Sequence, residues 1–138
     1  MMLTMNSTNE IYFYKNKISI IRKNAFSNML TLNSLFVIDN HIDTIETEAF
    51  NNMRNLMFLQ ITNCKVTLIA ENIFTNKSEL ENLSIENTQI EKFHENFAHR
   101  SSQFESLTIR SVTPFKYINY PLVKILEINE IKMESIKS

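Results

Sequence analysis

Few side chains in this chain are equipped for covalent or metal chemistry. Cys64 is the only cysteine of the 138 residues. A thiol acts as nucleophile or ligand through its thiolate, and one cysteine makes neither an internal disulfide nor a cysteine-based zinc site. The histidines are His41, His94 and His99. The separation of His94 and His99 matches no common zinc spacing. Ser101 and Ser102 near His99 lie in no nucleophile turn, and no orienting acid accompanies them. The expectation is therefore no catalytic residue, no metal, no cofactor and no enzyme. The chain has no glycine, which excludes a Walker-type phosphate loop and a dinucleotide fingerprint. Lys and Arg total 14 against 15 Asp and Glu, for a net charge of −1. That balance speaks against a nucleic-acid surface built from bulk charge. No run of apolar residues is long enough to span a bilayer.

These residues must be positioned by elements the composition already suggests. Isoleucine and asparagine occur 18 times each. Isoleucine favours strands and asparagine favours turns, so short strands joined by turns are expected. Without glycine, asparagine is the residue best suited to left-handed backbone positions.

The repeat defines the architecture. Leu32, Leu35, Val37, Asn40, Ile42, Ile45 and Phe50 recur 24 residues on as Leu56, Leu59, Ile61, Cys64, Val66, Ile69 and Phe74. They recur again as Leu80, Leu83, Ile85, Thr88, Ile90 and Phe93, with Phe97 one place early. Ile11, Phe13, Asn16, Ile18, Ile21 and Phe26 fill the same slots one step before, and Phe104, Leu107 and Ile109 one step after. A last copy, out of phase, fits Val123, Leu126, Ile128, Met133 and Ile136. Each copy has too little apolar surface to form a core alone, so stacked copies must share one. Asn16, Asn40, Cys64 and Thr88 fall in a slot expected to turn inward and bond backbone groups of the adjacent coil. The phenylalanines at 26, 50 and 74 are expected to stack beneath the opposite side.

The pattern L-x-x-L-x-L-x-x-N/C-x-L is that of leucine-rich repeats. Its 24-residue spacing, and the segment I-x-x-I-x-x-x-A-F-x-N-M at Ile18–Met29 and Ile42–Met53, resemble the typical class of animal leucine-rich repeat domains. Toll-like ectodomains and the leucine-rich immune proteins of insects belong to that class. Surface repeat proteins of protists and bacteria also carry the Ala-Phe pair, usually with glycine and cysteine nearby. The first resemblance implies an α/β-type solenoid: a horseshoe with a parallel concave sheet and an irregular or short 3-10 convex side. The chain reads as one domain, 1–138, of about five to six coils. Residues 8–113 read as well formed, 114–122 as an irregular loop around Pro114 and Pro121, and 123–136 as a loose last coil. Residues 1–10 look too short for a cap, so Ile11 and Phe13 are expected on an open edge. Such an edge invites homo- or hetero-oligomers.

In such a solenoid partners bind the concave face. Tyr12, Tyr14, Phe36, Ile38, Met57 and Phe58 fall in its exposed slots at one end, while Glu81, Glu86, Glu105 and Glu127 mark the other. Exposed aromatic clusters mark interfaces. The expected function is recognition of a protein partner or a microbial surface ligand, receptor-like or innate-immune by resemblance. The alternative is a structural or adhesive segment of a longer repeat protein with no ligand of its own. The resemblance implies an extracellular or cell-surface location. Met1–Asn6 shows no signal-peptide pattern, which points to the cytoplasm or to a piece of a longer chain. Asn6, Asn76 and Asn82 head N-x-S/T sequons. If the protein is secreted, Asn76 is the best glycan acceptor. A glycan on Asn82 would obstruct the middle of the concave face.

Overall fold

A computed structural model describes residues 3–6, 9–74, 80–94, 96–97, 105–111, 118–119, 125–127 and 136–137. The strands are β1 (Leu3–Asn6), β2 (Glu10–Tyr14), β3 (Ile20–Ile21), β4 (Ser34–Ile38), β5 (His41–Ile45), β6 (Phe58–Thr62), β7 (Lys65–Ile69) and β8 (Asn82–Phe93). They continue with β9 (Ser106–Ser111), β10 (Ile118–Asn119), β11 (Ile125–Glu127) and β12 (Ile136–Lys137). Alternation along β2, β4 and β6 buries Ile11 and Phe13, Leu35 and Val37, Leu59 and Ile61, and turns the residues between them outward. This period-two pattern is why the segments are strands.

The 24-residue step becomes a parallel register. Leu35 pairs with Ile11 and Leu59, Leu59 with Leu83, and Leu83 with Leu107. β2, β4, β6, β8 and β9 thus form a first parallel sheet, and β11 joins β9 with Leu126 beside Leu107. Within the stretch expected as an irregular loop, Ile118 and Asn119 of β10 pair with Ile136 and Lys137 of β12.

Two expectations are corrected. The return side reaches the irregular turns expected of it, at 23–28 and 47–52, only after a strand. It begins with a second parallel sheet, in which Ile45 pairs with Ile21 and Ile69, and Ile69 with Phe93. Ile42 and Ile45, and Val66 and Ile69 in the next copy, are buried from strands rather than from a coil. Among the described residues there are strands and turns but no helix, so what they show is a parallel-sheet solenoid. The edge at Ile11 and Phe13 is also not open. β1 lies antiparallel to β2, pairing Leu3 with Phe13 and Met5 with Ile11. Four residues are enough for this because an antiparallel partner needs only a tight hairpin.

The core lies between the two sheets and the turns that follow. Phe26 and Phe50 stack with centroids 5.8 Å apart and planes within 1°, and Phe50 and Phe74 follow at 5.3 Å. Phe97, one place early in its copy, is fully buried as well.

Left-handed corners let the backbone turn without glycine. Lys15, Asp39, Asn63 and Asn87 have φ of 49°, 54°, 54° and 46°, and Asn24, Glu48 and Asn72 have φ of 57°, 59° and 47°. Both series recur at the repeat spacing. The amides there bond the next coil: Lys15 N–H to Ile38 O, Asp39 N–H to Thr62 O, and Asn63 N–H to Glu86 O. Asn24 N–H bonds Glu48 O, and Glu48 N–H bonds Asn72 O.

Two substitutions test these supports. Phe50→Ala removes the middle ring of a buried stack and is expected to cost about 3–5 kcal/mol in a denaturant titration. Asn72→Val places a β-branched residue in the left-handed region and is expected to cost about 1–2 kcal/mol. Asn72→Gly is expected to stay within about 1 kcal/mol of the parent.

Candidate interaction surface

The exposed face of the first sheet is a grid set by the register. One row runs Tyr12, Phe36, Gln60, Ser84 and Thr108. The next runs Tyr14, Ile38, Thr62, Glu86 and Arg110, and the row at the strand starts runs Glu10, Ser34, Phe58, Asn82 and Ser106. Met57 enters just before its strand, where its amide and that of Phe58 both donate to Asn33 O.

The structure brings the apolar residues together as a band across three strands. Tyr12 and Phe36 are stacked, with centroids 4.4 Å apart and planes within 7°. Tyr14 and Phe58 are the most exposed of the group at 45% and 43%. Phe36, Ile38 and Met57 are half-buried. The Tyr12 hydroxyl donates to Glu10 Oε2 at 3.2 Å. Partial desolvation, and then the neighbouring Glu10 carboxylate, push the Tyr12 phenol above its usual range. The ammonium of Lys15 sits 5.0 Å from the centre of the Tyr14 ring, a cation–π arrangement.

Beyond the band the face is polar and largely self-satisfied. Gln60 Nε2 donates to Thr62 Oγ1 at 2.9 Å, and Ser84 Oγ donates to Glu86 Oε1 at 2.7 Å. Arg110 lies 3.4 Å from Glu86. Sequence reasoning missed these partners one step apart along a strand. The period-two spacing of Glu10 and Tyr12, Gln60 and Thr62, and Ser84 and Glu86 was the available signal.

The inward slot takes three chemistries in one geometry. Asn40 Nδ2 donates to Phe13 O and Ile38 O, both at 2.9 Å. Cys64 Sγ lies 3.5 Å from Val37 O and 3.3 Å from Thr62 O. Thr88 Oγ1 lies 3.4 Å from Ile61 O and 2.9 Å from Glu86 O, and it accepts from Cys64 N–H at 3.3 Å. Each side chain therefore ties its own coil to the one before. Asn16, in the first coil, is half-buried.

The remaining candidates are scattered. His41 is exposed, with Nε2 3.8 Å from Asp43 Oδ1. His94 is exposed and accepts from Asn96 N–H at 3.1 Å. His99 and Asn76 lie outside the described residues. The side chains of Asn6 in β1 and Glu127 in β11 are likewise outside them. Asn82 lies on the exposed face beside Phe58 and Ser106. Among the described residues no group of three or more His, Cys, Asp or Glu could hold a metal ion. No helix among them is long and apolar enough to cross a membrane.

A two-sheet stack with this inward polar slot and this phenylalanine column is the architecture of a leucine-rich repeat solenoid. The family described as the BspA type leucine rich repeat region matches residues 19–137 in six copies, and the chain belongs to it. The match supports leucine-rich repeats. It does not extend to the typical class or to the likeness with Toll-like ectodomains. No curated protein and no solved structure matches the chain.

Cys64 is buried, and burial pushes its thiol above the usual range although neighbouring backbone N–H groups pull the other way. The expected outcome is negligible alkylation of native protein by iodoacetamide near neutral pH, and complete alkylation in denaturant. A raised folded pKa also means that the native state holds this proton more tightly than the unfolded chain. This contribution to stability is present below the unfolded thiol pKa and is lost as pH climbs through the folded one.

Proposed function

We propose that this domain is a recognition module for a protein partner. It binds through the exposed face of the first sheet, the concave side of the solenoid, with Tyr12, Tyr14, Phe36, Ile38, Met57 and Phe58 making the central contacts. Leucine-rich repeats serve as protein-interaction modules, and the family match supports that role. The observation that carries the choice of face is the contiguous apolar band in the register of β2, β4 and β6. It holds half-exposed tyrosine and phenylalanine on a rigid backbone. Such anchors lose little conformational freedom on binding and dominate interface energetics. The polar remainder of the face, already hydrogen-bonded within itself, serves as the rim.

We place the domain at the cell surface or outside the cell, in a receptor-like or immune setting. The support for this is the resemblance of the repeat segment to extracellular recognition domains.

Pairing Tyr12→Ser with Phe36→Ser tests the face. Both side chains point away from the core, so the variant is expected to keep the parent circular dichroism spectrum and thermal transition. Partners cross-linked to the parent protein in its native source are expected to bind the variant at least about tenfold more weakly. Undiminished binding by the folded variant, or loss of its folded signal, would count against the proposal.

A further inference from the structure

The charges around the apolar band select the chemistry of its occupant. On the first-sheet face Glu86 meets Arg110 at 3.4 Å. Glu10 borders the band beside Tyr12, and Glu81 and Glu105 enter at the strand starts in the slot of Met57, their amides donating to Met57 O and to Glu81 O. The cations at the described positions of this face are Arg110 and Lys15, whose ammonium lies over the Tyr14 ring.

Other cations are engaged elsewhere. Arg22 lies 3.9 Å from Glu46, Lys23 2.5 Å from Glu48, and Lys65 3.5 Å from Glu91. Each of these pairs joins side chains of two coils outside the first-sheet face. At the described positions of this face Glu10, Glu81, Glu86 and Glu105 thus outnumber Arg110 and Lys15, although the whole chain carries only −1. Fixed charge of one sign beside an apolar surface attracts the opposite sign and disfavours its own. The band can also receive a cation directly. Lys15 over the Tyr14 ring shows that an ammonium is accommodated against these aromatics.

We infer that the partner is a cationic amphipathic polypeptide segment. Its apolar side chains cover Tyr12, Phe36, Ile38 and Phe58, and its lysines or arginines meet Glu10 on one flank and Glu81 and Glu105 on the other. The inference rests on the reading of this face as the binding surface.

The probes are a short synthetic peptide of leucine and lysine and its leucine–glutamate counterpart, titrated against the full chain. The lysine peptide is expected to bind about tenfold or more tightly than the glutamate peptide, and to weaken as salt is raised. Phe36→Ser is expected to weaken binding. Glu10→Gln with Glu81→Gln is expected to reduce the preference for lysine several-fold and leave the thermal transition unchanged. If both peptides bind equally and both need Phe36, the charge inference falls and the face stands. A lysine preference that survives Glu10→Gln with Glu81→Gln also overturns the inference. If binding of neither peptide depends on Phe36, both readings fall together.

Discussion

Everything in this molecule depends on the burial that one coil cannot achieve alone. A coil offers a few leucines, isoleucines and one phenylalanine, and its own backbone leaves them exposed. Stacking the next coil at a fixed step covers them on one side. The parallel register of the first sheet, the second sheet behind it and the Phe26–Phe50–Phe74 column are three expressions of that step. Because all three share one spacing, a change in any coil is felt by its two neighbours and little beyond.

The polar parts of the stack obey the same step. The inward slot accepts asparagine, cysteine and threonine because its demand is only for a small donor reaching the carbonyls of Phe13, Val37 or Ile61. The corners demand a left-handed residue, and in a chain without glycine asparagine takes most of them. Asp39, Lys15 and Glu48 adopt the same conformation because the inter-coil amide bonds at those places over-determine the backbone. This is local conformational cost offset by repeated hydrogen bonding.

The exposed face is free of these demands, and there the coils differ. Three strands carry rings and aliphatic chains, and the following two carry hydroxyls, amides and carboxylates. A uniform scaffold with one non-uniform face is the arrangement in which recognition can vary while the fold does not.

The apolar spacing of the chain was sufficient by itself to determine the stacked coils, the parallel register and the phenylalanine column, because burial acts at each slot independently of the partner that fills it. The presence of left-handed asparagines at turns was legible for the same local reason. The positions of Tyr12 and Phe36 in one exposed row could be read from the period of the strand. Only the tertiary structure decided that the Ile42–Ile45 segment pairs as a second sheet, since an apolar pair at that spacing is equally at home in a coil or a strand until a neighbour supplies its hydrogen bonds. Only it decided that β1 turns back to cover β2, since four residues of mixed polarity carry no periodic signal. The stacking of Tyr12 on Phe36 and the pairing of Glu86 with Arg110 join residues 24 positions apart. They come together because the coils align, and that alignment is a property of the whole stack.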